Sequence, residues 1–183
     1  MKRIATFAFL VIAFFILWML FHLGAFKPVT ISVSERGPLL LLYKVHRGAY
    51  HKIVPVIEEV ETWAQAHGEK CVESFGEYLD DPDTIEEDRL TSNGGCLLER
   101  PATDIPKDFK METRHKQNYV IAEFEGAPSI GPIKVYPKVE KYFVEKRLVR
   151  DGKRVMEIYQ RLQENGIRTT YHFPIAPGQA SGK

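Results

Sequence analysis

The chain of 183 residues is 44% hydrophobic, 27% charged and 11% aromatic, the composition of a folded protein rather than a disordered one. Its 25 Lys and Arg balance 24 Asp and Glu for a net charge of +1, so no global field draws it toward nucleic acid, and no nucleic-acid partner is expected. Two cysteines, Cys71 and Cys96, form no CxxC pair and have no zinc-like spacing, which excludes a zinc module.

The first element is the apolar run "IATFAFLVIAFFILWMLFHL", Ile4 to Leu23, in which Thr6 and His22 are the only polar side chains. As a helix it is long enough for a hydrocarbon core of about 30 Å, and it is expected to span a membrane once. The rival is a cleaved signal peptide ending at "LGA", but the apolar run exceeds a signal core and is rich in Phe and Trp. Residues 1–26 are therefore expected to form an anchor, and residues 27–183 a single domain. Lys2 and Arg3 before the span, against Lys27 and Arg36 after it, lean toward an extracytoplasmic domain.

Beyond the anchor, "PVTISVSE" alternates with the period of a half-buried strand, and "LLLLYKVHRG" from Leu39 to Gly48 predicts a second strand stopped by glycine. "PVIEEVETWAQAHG" then changes period, placing Val56, Ile57, Val60, Trp63 and Ala64 on one helical face between Pro55 and Gly68. "KCVESFGEYL" and "RLTSNGGCLLE" read as two further strands. If they pair, Cys71 and Cys96 come nearly opposite each other, and the sequence leaves open whether they bond or remain thiols. The same order returns with strand "NYVIAEFEG", a helix "PKVEKYFVEKRL" from Pro137, and a closing hairpin of "RVMEIYQRL" and "IRTTYHFPI" turning at Asn165-Gly166. The expected fold is α+β, a tandem duplication of a βαββ unit over about residues 29–100 and 117–176, behind one transmembrane helix. "SIGPIKVY" reads as an extra loop in the second copy, and "RPATDIPKDFKMETRHKQ" as a polar surface connection between the copies.

The acidic stretch "EYLDDPDTIEEDRL" invites a calcium loop, but counting from Asp81 puts Glu86 at the sixth position, where an EF-hand needs glycine, and Ser92 at the twelfth, where it needs glutamate. It reads instead as a turn at Asp81-Pro82-Asp83 followed by a short helical turn. The six histidines form no HxH or HExxH pair, so no metal is expected, and His46 and His51 read as surface or capping residues. No cofactor motif and no recognisable Ser or Cys nucleophile occurs, and turnover is not required by anything in the chain.

The paired units, "RGAYHKI", "YLDDPDTIEEDRL" and "MEIY" followed by "YHFPI" resemble the GyrI-like small-molecule-binding domain, a neighbour of the SOUL and AraC effector-binding domains. The anchor placed directly before such a domain, with "YFVEKRL", "MEIYQ" and "FPIA" in order, is similar to a membrane-anchored animal branch that includes a testis-expressed ER-phagy receptor. That branch recruits through a long C-terminal tail, whereas this sequence runs to "PIAPGQASGK", so the recruitment role is not expected to carry over. The helix-turn-helix of the transcription-regulating relatives is not seen either.

The resemblance implies a ligand cleft where the two units meet, with the carboxylate of a Glu-x-Tyr strand facing a cationic or electrophilic ligand. Here that pattern is Glu157-Ile158-Tyr159, and strand alternation puts Glu157 and Tyr159 on one face. Without the resemblance, Glu157 reads as a solvent-facing residue of an edge strand; only with it does the cleft role weigh as much. Tyr50 follows the first glycine as the family's Gly-x-Tyr does, and Pro128 takes that place in the second unit. Phe75, Tyr119, Phe124, Tyr142 and Phe173 complete the candidate aromatic lining, each also suited to ordinary core. Three functions follow: a membrane-tethered module binding a hydrophobic, cationic small molecule; a hydrolase of cyclopropanoid or other electrophilic compounds; and a membrane-anchored adaptor for a protein partner.

Overall fold

A computed structural model describes residues 2–162 and 166–179. The apolar run forms helix α1 (Lys2–His22), in which Ile4–His22 is long and apolar enough to cross a membrane. At 1.5 Å per residue that stretch reaches about 28 Å, and its side chains find almost no cover within the chain.

Eight antiparallel strands make one sheet: β1 (Val29–Arg36), β2 (Leu39–Arg47), β3 (Cys71–Tyr78), β4 (Thr91–Leu98), β5 (Phe109–Arg114), β6 (Gln117–Glu125), β7 (Val155–Arg161) and β8 (Ile167–Pro174). Their order is β1-β6-β8-β7-β3-β4-β2-β5. Helix α2 (Val54–Ala66) links β2 to β3, and α3 (Gly131–Lys146) links β6 to β7. The α+β fold thus has strand–helix–strand–strand in each half, and the halves join where β3 pairs with β7. The strand that leads into each half pairs with the other half, β1 on β6 and β5 on β2.

The sheet must curl. Only Gly37 and Pro38 carry the chain from β1, at one end of the order, to β2, next to the other end, and two residues span little more than about 10 Å. Burial agrees with that constraint. One face is covered by helices: α2 sets Val60 on Leu42, Cys96 and Leu98, and α3 sets Val135, Val139 and Phe143 on Val120, Phe124, Tyr171 and Phe173. Each such aliphatic or aromatic side chain contributes about 1.5–3 kcal/mol by leaving water. The other face has no helix over it, yet Leu41, Phe75, Leu97, Met156 and Ile158 are buried there, because the sheet closes on itself.

Two expectations change, and one question left open is answered. The connection between the halves contains β5, since "FKMETR" alternates Phe109, Met111 and Thr113 with charged residues, and charges suit an edge strand. Helix α3 begins at Gly131, so most of "SIGPIKVY" is helical; Pro132 fills the first turn, as Pro55 does in α2, and Pro137 lies inside the helix. Cys71 and Cys96 are joined in a disulfide between β3 and β4, their Cα atoms 5.3 Å apart. The β7–β8 hairpin forms as expected, with Leu162 N–H bonded to the Gly166 carbonyl, while Asn165 of its turn lies outside the described residues.

Candidate ligand-binding site

Between α2 and α3, over the β3–β7 joint, lies a cleft of about 1050 Å³. Its walls come from both helices and its floor from β3 and β7. Register fixes the centre of the floor: Gly76 on β3 stands opposite Glu157 on β7. Two residues along β3 from that pair is Tyr78, and two residues along β7 is Tyr159, so period-two alternation aims all of them at the cleft. Gly76 leaves room for the two phenols, because a Cβ at that position would come within 3.2 Å of the Tyr78 hydroxyl and 3.3 Å of the Tyr159 hydroxyl.

Glu157 is 4% exposed, and no cation reaches it among the described residues. Its partners are neutral: the Tyr136 hydroxyl of α3 donates to Oε1 at 3.3 Å and the Tyr159 hydroxyl to Oε2 at 3.2 Å. Tyr159 and Tyr78 share a hydrogen bond of 2.9 Å. Burial pushes the Glu157 carboxyl up to about 8, and the two tyrosine hydroxyls only partly oppose that shift. The same burial, with the Glu157 charge beside them, raises Tyr78, Tyr136 and Tyr159. The site is a carboxyl that burial raises and phenols hydrogen-bond, and among the described residues no cation touches it.

The rim is better satisfied. Lys153 pairs with Asp81 at 3.1 Å and Arg150 with Glu140 at 2.9 Å, while Ser74 donates to Glu61. Tyr50 pins the acidic loop to the cleft by donating to the Asp80 carbonyl and accepting the Asp80 N–H, both at 2.9 Å. That loop is a turn built from its own acids: Asp81 accepts the Asp83 N–H at 3.1 Å, and Asp80 accepts the Thr91 N–H at 2.7 Å. Among the described residues no group of three His, Cys, Asp or Glu is placed to hold a metal.

Of the eight residues singled out in the sequence, Glu157, Tyr159 and Tyr50 line the cleft. The other five lie elsewhere. Phe75 packs with Tyr43 on the helix-free face, and Tyr119 on that face meets His172 edge-on. Phe124 and Phe173 are fully buried beneath α3, and Tyr142 packs half-buried against that same core. Pro128 does line the cleft, across from Tyr50. Two further tyrosines of the floor and wall escape the sequence reading. Tyr78 carries a signal, since "GEY" in β3 repeats the x-Tyr spacing of "EIY" in β7; Tyr136 is hidden because its segment reads as loop.

No protein-family model matches the sequence, and no curated protein matches it either. Solved structures do. The C-terminal domain of EcmrR superposes with a TM-score of 0.66 at 12% identity, covering 81% of this chain and 98% of that one. EcmrR in its complex with DNA gives the same TM-score and identity over 95% of this chain and 67% of that one. SAV2435, solved bound to tetraphenylphosphonium, gives 0.53 at 14% identity over 81% of this chain and 94% of that one. At such identities the likeness is one of fold, and the curled eight-stranded sheet with its helices on one face is consistent with the GyrI-like fold.

Proposed function

We propose that this chain is a membrane-tethered binding protein for a hydrophobic cation, with residues 1–26 as its anchor and residues 27–183 as the ligand-binding domain. One observation carries the reading: Glu157 is buried on the floor of an open cleft with phenol partners and, among the described residues, no counter-ion. An ionised carboxylate in such a place is costly alone, and a bound cation supplies both its charge and a partner for the faces of Tyr78, Tyr136 and Tyr159. That SAV2435 holds tetraphenylphosphonium in a related fold supports the choice of ligand class. The Cys71–Cys96 disulfide supports the extracytoplasmic side, where such bonds persist. EcmrR was solved on DNA, but the balance of 25 basic and 24 acidic residues here gives no phosphate-seeking field, so the reading includes no nucleic acid.

Titration of the full chain in nanodiscs with tetraphenylphosphonium tests the reading. Binding is expected for the native chain, and Glu157→Gln, which keeps the shape and removes the charge, is expected to weaken it by about 30-fold or more. Equal affinity in the two proteins would sink the assignment.

A hydrolase is the second reading, favoured by a carboxyl raised to about 8, near the operating pH a general base needs, on the floor of an open cleft. Mass spectrometry of an electrophilic ligand recovered after incubation separates the two, since only the hydrolase adds water.

A further inference from the structure

The anchor and the cleft share a wall. Helix α1 enters the domain without a linker: the Leu23 carbonyl accepts the Ala127 N–H at 3.0 Å, and Lys134 of α3 donates to the carbonyls of Ala25, at 2.5 Å, and Lys27. Gly24, with φ of +78°, lets the backbones close, since a Cβ there would stand 3.0 Å from both the Glu125 carbonyl oxygen and the Gly126 Cα. Ala127, which bonds the anchor, is followed directly by Pro128 and Ser129 of the cleft lining. Ile167, also in that lining, accepts the Gly126 N–H at 3.1 Å. One end of the cleft is therefore built from the loop that seats the anchor, while Asp81 and Lys153 stand at the other end of β7.

The surface around this seat has the chemistry of a bilayer boundary. Phe26 is 64% exposed and Ile133 73% exposed, and they flank the Lys134 contacts. Lys27 and Lys138 are exposed beside them. Apolar side chains that reach inward, with lysines that reach back to headgroups, suit the interfacial zone next to a spanning helix.

We propose that the cleft is loaded from the bilayer: the first turn of α3 rests on the membrane, and the ligand is a membrane-dissolved amphiphilic cation that reaches Glu157 past Pro128, Pro132 and Ile167. The hydrocarbon chain then lies along the apolar wall toward the anchor, and the cationic head meets the carboxylate. This rests on the cation-binding reading above and adds the source and shape of the ligand.

The test compares the native full chain in nanodiscs with a variant carrying a flexible Gly/Ser insert of about twelve residues between His22 and Leu23, which keeps the Leu23–Lys27 contacts but frees the domain from helix α1 and so from a fixed place at the bilayer. Both are titrated with tetraphenylphosphonium from solution, and then octadecyltrimethylammonium within the disc is used to displace it. Equal affinity for tetraphenylphosphonium in both is expected, and it also shows that the insert leaves the cleft folded. The bilayer-borne amphiphile is expected to displace it from the native chain at about tenfold lower mole fraction than from the insert variant. Equal displacement would overturn loading from the bilayer, whereas loss of tetraphenylphosphonium binding by the native chain would instead overturn the cation-binding reading. As a second readout, a phosphatidylcholine with a photoreactive diazirine near its headgroup is expected to label peptides containing Phe26 and Ile133. Labelling confined to α1 would overturn the proposed seat.

Discussion

Two glutamates are buried at the joint of the halves, and they differ in what meets them. Glu77 on β3, 1% exposed, faces the helix-free side of the sheet. There Arg114 donates to both of its oxygens at 2.8 and 3.4 Å, Asn93 donates at 2.9 Å, and Arg154 stands 3.6 Å away. Glu157, one step along the paired strand and on the opposite face, has two phenols and a cleft. A buried charge with its lone pairs answered is part of the framework; one without a cation is the place where the proposed ligand would complete the pair. Burial alone does not separate the two, and only the inventory of partners does.

The largest effect is expected from breaking the completed site. Glu77→Ala takes from the buried Arg114 its inner carboxylate and leaves it only the half-exposed Glu112, a loss of about 3–5 kcal/mol of the kind seen when one partner of a buried pair is removed. Thermal unfolding should move down by about 10 °C. Glu157→Gln, by contrast, removes a charge that lacks a protein counter-ion among the described residues, so its unfolding temperature above about pH 8 should equal or exceed that of the native chain. A fall of similar size in both variants would erase the distinction.

The comparison can be sharpened with pH. The Glu157 carboxyl is raised from 4.5 to about 8, so between those values the folded chain holds a proton that the unfolded chain has released, and stability falls as pH rises. His172, lowered by burial from 6.5 to about 4, has the opposite sign: stability falls as pH drops through that window. The two slopes cancel between 4.5 and 6.5 and leave Glu157 acting alone between 6.5 and about 8, at about 1.4 kcal/mol per pH unit. Urea unfolding of the native chain should therefore weaken across that upper window, and the Glu157→Gln profile should be flat there. A slope that survives the substitution would assign the titration to another group.

Much of this is legible in the amino-acid pattern, and the misses share a cause. Strict alternation in "PVTISVSE" and "MEIY" decides which side chains share a face, so the period of two alone puts Glu157 and Tyr159 together. Periodicity cannot say which face receives the helix and which is closed by the curl of the sheet. For that reason Phe75 and Tyr119, on the closed face, cannot be told from Tyr78 on the open one. β5 is hidden because one of its faces carries Lys110, Glu112 and Arg114, and the buried partner of Arg114, Glu77, lies far off in sequence. Tyr136 is lost because Pro137 reads as a helix start, whereas it lies inside α3, a place proline usually avoids because it gives up a hydrogen bond and crowds the carbonyl four residues back.

The smallest expected effect probes the phenols themselves. The Tyr136 and Tyr159 hydroxyls donate to Glu157 and so favour its charged form, lowering a carboxyl that burial raises. Tyr136→Phe removes one donor and keeps the ring, which is worth about 0.5–1.5 kcal/mol for a single hydrogen bond. Ionisation of Glu157 should then move up by about half a unit to one unit. On the proposed reading the cation meets the carboxylate, so tetraphenylphosphonium affinity should rise with pH up to that ionisation and level off beyond it, and the levelling point should shift upward in Tyr136→Phe. The matching change on the other face, Tyr43→Phe, removes a hydroxyl that donates to Glu112 at 3.4 Å beside the Arg114 network and should leave the levelling point where it was. An equal shift in both variants would mean that the affinity profile follows the general electrostatics of the sheet, and that Glu157 has no special claim on the cation.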